Sequence, residues 1–238
     1  MGLADLDGLY VEGWVKTSLI DYTSGICSTV FLAGCNMRCP YCHNPDLVLR
    51  RRSLPRISWR TVVEHLSSRA GLLDSVCFSG GEPTLRRELP QMMESVKRLG
   101  FKVKLDTNGT KPGVLRSLLR DGLVDYVAMD VKGPLDRYEV VCGVPVDAPA
   151  IEQSARIVME SEVPYEFRTT AHPQLLDEAA FESIGRWLAG ARRYVIQRCE
   201  TGKNMDPVFR RLAPASCGWV ERMAKQCSPF FRTVGVRC

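Results

Sequence analysis

The chain has 238 residues, of which 45% are hydrophobic, and its net charge at pH 7 is +5. This length allows one full-sized hydrophobic core, and without a shift in composition or a low-complexity linker we expect a single domain over residues 1–238. The apolar runs are too short to span a bilayer, and Asp5, Asp7 and Glu12 stand where an export signal needs a basic stretch. We therefore expect a cytoplasmic protein that does not bind membranes.

Short β-rich segments alternate with amphipathic helical segments along most of the chain. This alternation is typical of parallel strands joined by crossover helices. We expect a lead-in over residues 1–24, a core over about residues 25–200 and a C-terminal extension over residues 201–238. In chain order, the predicted strands are residues 28–32, 75–79, 102–106, 126–130, 165–170 and 193–198.

Helices are predicted between these strands from apolar residues spaced three and four apart. They cover residues 62–70, 85–99, 114–119, 151–158 and 181–191. Six βα units predict an α/β fold, namely a partial TIM barrel, (β/α)6, with parallel strands and outer helices, since a complete eight-unit barrel takes about 250 residues. An open three-layer sheet is the competing architecture.

Polar motifs follow the predicted strands one after another. Enzymes on β/α barrels gather their reactive groups at the carboxyl ends of the strands, so we expect these motifs to face one mouth. They are Cys35, Cys39 and Cys42 after the first strand, Gly80-Gly81-Glu82-Pro83 after the second, Asp106-Thr107-Asn108-Gly109 at the third, Asp130-Val131-Lys132 at the fourth, and Arg168 within the fifth.

Three thiols within eight residues, Cys35, Cys39 and Cys42, form the most informative of these motifs. A four-iron cluster held by three thiolates keeps one iron open to a small molecule. Other interpretations fit parts of the same loop. Cys39-Pro40-Tyr41-Cys42 resembles the redox pair of glutaredoxins, and with His43 it fits covalent haem attachment or a zinc site.

Ten cysteines suggest a disulfide framework only in small secreted domains, so reduced thiols and a metal are favoured here. Cys27 and Cys77 are predicted to be core residues, and Cys199, Cys217, Cys227 and Cys238 lack the spacing of metal ligands. The basic run Arg50-Arg51-Arg52 with Arg56 indicates a solvated loop and not a nucleic-acid surface.

The full loop, Cys-x-x-x-Cys-x-x-Cys followed on a later strand by Gly-Gly-Glu-Pro, resembles the radical S-adenosylmethionine (SAM) superfamily. That resemblance implies one [4Fe-4S] cluster on Cys35, Cys39 and Cys42, with SAM on the open iron. It also implies an oxidoreductase that reductively cleaves SAM to a 5'-deoxyadenosyl radical. In such an enzyme the cofactors perform the bond cleavage, and the protein binds and orients them.

Further motifs narrow the resemblance to the glycyl-radical-enzyme activating enzymes, and within them to the activating proteins of anaerobic ribonucleoside-triphosphate reductase. The motifs similar to the activating enzymes in general are Cys39-Pro40-Tyr41-Cys42-His43-Asn44, Leu105-Asp106-Thr107-Asn108-Gly109 and Met129-Asp130-Val131-Lys132. The motifs most similar to the reductase branch are Gly13-Trp14-Val15-Lys16-Thr17-Ser18-Leu19-Ile20-Asp21-Tyr22 and Phe167-Arg168-Thr169-Thr170-Ala171-His172-Pro173. Such an enzyme takes hydrogen from a glycine of a partner glycyl radical enzyme. A reduced flavodoxin or ferredoxin-type protein is the expected electron donor.

The resemblance also assigns site residues. SAM is expected to contact Tyr41, Gly80, Gly81, Glu82, Asn108, Asp130, Lys132 and Arg168. Asp106 and Asp130 form a candidate site for a monovalent cation, and the alternative is that both cap the helices that follow. No side chain is assigned a catalytic role, because the cluster and SAM carry the radical chemistry.

Two alternative functions remain at this point. One is another enzyme of the superfamily that acts on a small molecule or peptide, such as a 7-carboxy-7-deazaguanine synthase. The other, from a different class, is a thiol-redox or metal-binding module built on Cys39 and Cys42.

Overall fold

The structure, a computed structural model, describes residues 6–238. These residues divide into two compact units that alternate along the chain. Among the described residues, unit 1 comprises 6–36, 46–107 and 113–127, and unit 2 comprises 37–45, 108–112 and 128–238.

The elements of the first half of the chain lie mainly in unit 1. In chain order they are β1 (Tyr10–Val11), β2 (Gly13–Ser18), β3 (Cys27–Leu32), α1 (Pro45–Val48), β4 (Ile57–Ser58), α2 (Trp59–Ser68), β5 (Ser75–Gly80), α3 (Leu89–Arg98), β6 (Lys102–Thr107) and α4 (Pro112–Arg120). β7 (Tyr126–Asp130) begins in unit 1 and ends in unit 2.

The sheet of unit 1 has the strand order β6-β5-β3-β2. β3 pairs in parallel with β5, and β5 pairs in parallel with β6, whereas β2 lies antiparallel to β3. A separate small sheet joins β1 and β4 in antiparallel fashion. β3 and β5 are buried along almost their whole length because both of their faces are covered.

The core of unit 1 combines these strands with the apolar faces of α2 and α3. Phe78 on β5 and Trp59 on α2 are fully buried, and their ring centroids lie 5.8 Å apart. The indole Nε1 of Trp59 donates to Ser95 Oγ of α3 at 3.0 Å. A buried indole thus keeps a hydrogen-bond partner, which ties the two helices together.

Unit 2 contains the end of β7 and the elements that follow it. They are α5 (Tyr138–Cys142), α6 (Ala148–Glu160), β8 (Tyr165–Ala171), α7 (Glu178–Trp187), β9 (Arg193–Arg198), α8 (Cys217–Cys227) and β10 (Thr233–Arg237). The strand order is β7-β8-β9-β10, and β9 is parallel to both β8 and β10. α8 contacts α7, β9 and β10.

The long helices of unit 2 begin at side chains that cap their free backbone N–H groups. Asp147, Asp177 and Ser216 accept from the backbone N–H three residues further along the chain at the starts of α6, α7 and α8. Such caps satisfy N–H groups that have no partner within the helix.

All six predicted strands are present, with boundaries within one residue of those expected. Further elements were not predicted. The N-terminal lead-in supplies the antiparallel strand β2, and the C-terminal extension supplies α8 and the parallel strand β10. α3 begins at Leu89 and not at residue 85, because Glu82 caps a short 3₁₀ turn over Pro83–Leu85. Within residues 6–238, no helix is both long and apolar enough to cross a membrane.

The added strand β10 is held by a buried ion pair as well as by its backbone. Glu166 on β8 is fully buried, and its two carboxylate oxygens lie 2.9 and 3.0 Å from Arg237 Nη2 of β10. Arg193 Nε of β9 lies 3.3 Å from the same carboxylate. One carboxylate therefore links three adjacent strands.

Replacing Glu166 with glutamine should lower the free energy of unfolding by about 2 kcal/mol, since it leaves two guanidinium groups without their charge partner and both are partly exposed. Urea denaturation at pH 7 measures this. The control is Glu182→Gln, which removes an exposed ion pair with Arg186 and should cost less than about 0.5 kcal/mol. Equal losses in the two variants would contradict the structural role of Glu166.

Candidate functional site

The three cysteines lie in one loop, between β3 and α1. All three are free thiols and form no disulfide. Cys35 belongs to unit 1, whereas Cys39 and Cys42 belong to unit 2. Within residues 6–238, no three His, Cys, Asp or Glu side chains are arranged as ligands of one metal ion. In a four-iron cluster each thiolate binds a different iron. The three sulfur atoms therefore do not have to converge on one metal ion.

The part of the loop in unit 2 is fixed by a segment of the C-terminal extension. The backbone N–H groups of Met205 and Asp206 donate to Cys42 O and Pro40 O, both at 2.9 Å. The side chain of Asn204, which is fully buried, donates through Nδ2 to Tyr41 O at 2.7 Å. Three successive residues therefore hold three successive carbonyl groups of the cysteine loop.

A fourth cysteine, Cys142, lies beside Cys39. Cys142 is the last residue of α5 and is fully buried, and its carbonyl accepts from Arg38 N–H at 2.8 Å. Its thiol hydrogen-bonds the thiol of Cys39 and, together with the charge of Lys132, lowers the pKa of Cys39 to about 6 against the opposing effect of burial. This shift favours the thiolate form of Cys39, the form in which cysteine binds iron.

The conformation of the next residue brings Cys142 to this position. Gly143 has φ +70°, in the left-handed region, and a Cβ added there would stand 2.5 Å from Arg38 O. Only glycine allows this approach of the chain to the cysteine loop. The spacing of the cysteines did not reveal Cys142 as a neighbour of the site, because it lies 103 residues from Cys39 along the chain (142 − 39).

Asp130, at the end of β7, is held between two cationic side chains. Its Oδ1 accepts from Arg168 Nε at 2.8 Å and its Oδ2 from Lys132 Nζ at 3.0 Å. The side chains of Lys132 and Arg168 are 13% and 11% exposed, so both charges are largely removed from water. The backbone N–H of Val131 donates to Arg168 O at 2.7 Å, which fixes the ends of β7 and β8 together.

These charges determine the ionisation of the site. Burial on its own would raise the pKa of Asp130, but the positive charges of Arg168 and Lys132 outweigh it and lower the pKa to about 2. Burial likewise favours neutral Lys132, and the negative charges of Asp130 and Cys39 raise its pKa instead. The predicted site residues Asp130, Lys132 and Arg168 therefore form one ionised group in unit 2.

Asp106 lies within β6 in unit 1 and does not cap a helix. Its Oδ1 forms an ion pair with Lys104 Nζ at 2.8 Å, and its Oδ2 accepts from Ser79 Oγ at 3.1 Å. Lys104 stands two residues before it on the same face of the strand, and its side chain is only 4% exposed. The capping alternative is wrong for both aspartates, since Asp130 ends its strand in an ion pair with two cations.

Gly80 and Gly81 allow β5 and the end of β3 to approach each other in unit 1. Gly80 has φ +125°, and a Cβ there would collide with Leu32 O, while a Cβ on Gly81 would collide with Gly34 O. The N–H groups of Gly81 and Glu82 donate to these two carbonyls at 2.8 Å. The two glycines thus have a packing role in the structure, besides the ligand contact that the motif predicts.

Glu82 is 2% exposed and serves as a hydrogen-bond acceptor inside unit 1. Its Oε1 accepts from Thr84 N–H at 3.1 Å, from Thr84 Oγ1, and from Thr107 Oγ1 of β6 at 2.8 Å. The carboxylate thereby joins the ends of β5 and β6.

Asn108 and Tyr41, both in unit 2, also have structural partners. Asn108 Oδ1 accepts from Thr110 N–H at 3.0 Å and from Thr110 Oγ1 at 2.7 Å, which closes an Asx turn around Gly109, whose φ is +75°. The ring of Tyr41 is 4% exposed, and burial together with the negative charge of Cys39 raises its pKa. Tyr41 is therefore a neutral neighbour of the Cys39 sulfur.

The donor groups fit an iron-sulfur cluster and its ligand. Three free thiols are available in one loop, and the pKa of Cys39 is lowered, whereas burial raises the pKa of Cys42. Thiolate sulfur is the usual protein ligand of such clusters. Lys132 and Arg168 supply positive charge of the kind that binds a carboxylate, as their contacts with Asp130 show.

Asp130 should make stability depend on pH in acid. A carboxyl group with a pKa of about 2 in the folded protein and about 4 when unfolded stabilises the fold above pH 4, and this contribution is lost as the pH falls towards 2. We expect the wild type to lose about 2 kcal/mol over that range through this group, and Asp130→Asn not to show this part of the loss. Urea denaturation at successive pH values measures it.

The control for this series is Asp136→Asn, since Asp136 is exposed and forms no ion pair with any residue from 6 to 238. It should follow the wild-type curve. Identical acid profiles for Asp130→Asn and wild type would contradict the ion network.

Sequence comparison identifies relatives along nearly the whole chain. The model of the radical SAM superfamily matches residues 29–184. A protein of Methanocaldococcus jannaschii, provisionally named a glycyl-radical enzyme activating enzyme, is 32% identical over 234 residues, which cover 95% of each chain. The PqqA peptide cyclase of Xanthomonas oryzae is 36% identical over 101 residues, which cover 41% of this chain and 26% of the cyclase.

Structural comparison confirms the fold. SuiB of Streptococcus suis, solved with its precursor peptide SuiA, superposes with a TM-score of 0.67 over 88% of this chain and 48% of its own, at 12% identity. SuiB solved with SAM gives a TM-score of 0.65. This chain thus spans about half the length of SuiB. The predicted α/β fold with a mainly parallel sheet, a partial TIM barrel, is confirmed.

The superfamily model covers more than half of the chain, and it includes the cysteine loop, the Gly80-Gly81 turn and Asp130 with its two cations. Membership implies a [4Fe-4S] cluster and SAM as cofactors. The chain belongs to the radical SAM superfamily.

Proposed function

We propose that this radical SAM enzyme is an activase that reductively cleaves SAM to a 5'-deoxyadenosyl radical and abstracts hydrogen from a glycine of a partner glycyl radical enzyme. Anaerobic ribonucleotide reductase is the proposed partner. The observation that carries the proposal is the 32% identity with the M. jannaschii activating enzyme, which extends over 95% of both chains.

The proposed cluster ligands are Cys35, Cys39 and Cys42. When bound, the cluster and SAM supply the electron transfer and the radical that the reaction requires. The chain favours the thiolate form at Cys39, since Cys142 and Lys132 lower the pKa of this thiol. It also shields the Cys39 sulfur from water, because Tyr41 and Cys39 are 4% and 7% exposed. A reduced flavodoxin or ferredoxin-type protein is the proposed electron donor.

The proposed SAM contacts follow from the superfamily motifs. Lys132 and Arg168 bind the carboxylate, with Asp130 setting their positions. The remaining proposed contacts are the Gly80-Gly81 backbone, Glu82, Asn108 and Tyr41. A monovalent cation would compete with ammonium groups for Asp106 and Asp130, and we therefore leave it out of the proposal.

A peptide-modifying radical SAM enzyme is the second candidate. The PqqA peptide cyclase of X. oryzae is 36% identical over 101 residues, which favours chemistry on a peptide. This match covers 41% of the chain, whereas the activating-enzyme match covers 95%. The longer match favours the activase.

The first test concerns the cluster ligands. After anaerobic reconstitution with iron and sulfide, Cys39→Ala should hold at least about tenfold less iron than the wild type, because the loop loses an ionised ligand. Iron analysis and the visible absorption spectrum measure this. Cys77→Ala is the matched control, since Cys77 is a fully buried cysteine on β5, and it should bind iron like the wild type. Equal iron in both variants would contradict the ligand assignment.

The second test concerns the substrate. The reconstituted and reduced protein, mixed with SAM and the anaerobic ribonucleotide reductase of the same organism, should generate a glycyl radical on the reductase. Electron paramagnetic resonance detects this signal, which should be absent without SAM. A preparation that cleaves SAM but gives no protein radical, and instead crosslinks a peptide, would favour the second candidate.

A further inference from the structure

An arginine-rich cleft lies in unit 1, outside the residues described above. Its volume is about 490 Å³, within the range of ligand sites. Residues from β1, from the segment after α1 and from the turn before α3 line it, together with Ala33. Six of the lining residues are arginines, namely Arg50, Arg51, Arg52, Arg56, Arg86 and Arg87.

Most of this positive charge is not neutralised. Arg86 is paired with Glu12 at 2.5 Å and Arg51 with Asp46 at 2.8 Å. The other four arginines form no ion pair with any residue between 6 and 238. The carboxylates at or beside the cleft are those of Glu12, Asp46 and Glu88, so six positive charges are accompanied by three negative ones. Like charges held this close repel one another, and an anionic ligand would relieve that repulsion.

Several of the guanidinium groups are held in place. Arg56 lies over the ring of Tyr10, with its guanidinium carbon 3.8 Å from the ring centroid, and Arg86 lies 5.0 Å from the same centroid. Glu12 accepts from Arg86 and also from Ala33 N–H at 2.9 Å, which connects the cleft to the residue after β3. The cleft is thus built before any ligand arrives.

Arg50 shows backbone strain at the edge of the cleft. It is the single non-glycine residue with positive φ in the described part of the chain, at +50°. Such a conformation costs about 1 kcal/mol or more, so the surrounding structure determines it. Its side chain lies over Gly34, where an added Cβ would collide with it. Gly34 directly precedes Cys35, and the cleft therefore borders the beginning of the cysteine loop.

The chemistry of the cleft favours carboxylates presented by a peptide. Guanidinium groups bind carboxylates in pairs of hydrogen bonds, and Arg86 in the cleft already binds the carboxylate of Glu12. Leu54 and Leu85 add apolar contacts for side chains. A nucleobase would need an open aromatic face, and Arg56 covers a face of Tyr10, the cleft's aromatic residue.

We propose that this cleft binds an acidic segment of the protein substrate and so positions that partner next to the cysteine loop. The proposal rests on the proposed function, in which the substrate is a protein. Arg50, Arg52, Arg56 and Arg87 supply the charge, and Glu12 with Tyr10 hold the cleft in shape.

Fluorescence anisotropy with a labelled hexaglutamate peptide tests this on the reconstituted protein. We expect Arg52→Glu/Arg87→Glu to weaken binding at least about tenfold, since two contacts become repulsive. The matched control is Arg116→Glu/Arg232→Glu, which changes the net charge equally at exposed arginines outside the cleft. It should weaken binding less than about threefold.

The milder pair Arg52→Gln/Arg87→Gln, which adds no new charge, repeats the test with less risk to folding and should also weaken binding. Equal weakening in the cleft and control variants would show attraction by net charge alone and overturn the proposal. Tighter binding of tripolyphosphate or of a 12-nucleotide oligothymidylate than of hexaglutamate would overturn the choice of an acidic peptide.

Absence of hexaglutamate binding to the wild type would also overturn the proposal. The glycyl radical on the reductase is measured separately, with the same preparation of the enzyme. A glycyl radical without hexaglutamate binding refutes the cleft alone, and binding without a glycyl radical refutes the proposed function alone.

Discussion

The ionised group formed by Asp130, Lys132 and Arg168 is the interaction on which the unit 2 part of the site depends. Two largely buried cations need a negative partner, and Asp130 at the end of β7 provides it. The Cys142 thiol and the charge of Lys132 together lower the pKa of Cys39. The same group joins the ends of β7 and β8, so the charges that tune the sulfur also fix the strand ends beside it.

The positions of the site residues were predictable because they follow from local patterns. Asp130 and Arg168 stand at the end of or within strands whose apolar runs mark them clearly, and parallel strands place such residues at one edge. The anchoring of the cysteine loop was not predictable. Asn204 and Cys142 reach the loop from 163 and 103 residues away (204 − 41 and 142 − 39), and no periodicity or spacing records contacts of that range.

The roles of several residues were harder to predict than their positions. Gly80 was expected to make room for a ligand, and the structure shows that it also makes room for Leu32 O of β3. Asn108 closes its own turn, and Asp106 pairs with Lys104 two residues earlier. Such residues have structural contacts of their own, because the buried backbone N–H and C=O groups at a strand end need hydrogen-bond partners whether or not a ligand binds there. β10 was not predicted because the strand has only five residues and one of them is a glycine, which is rare in strands.

The most direct test of the radical chemistry is the fate of SAM. The protein, reconstituted anaerobically with iron and sulfide and reduced with dithionite, should be brown and should convert SAM to 5'-deoxyadenosine, quantified by chromatography. Cys35→Ala should abolish this conversion, because every thiol of the loop is needed for the cluster. A colourless protein that leaves SAM intact and instead exchanges disulfides through Cys39 and Cys42 would contradict it.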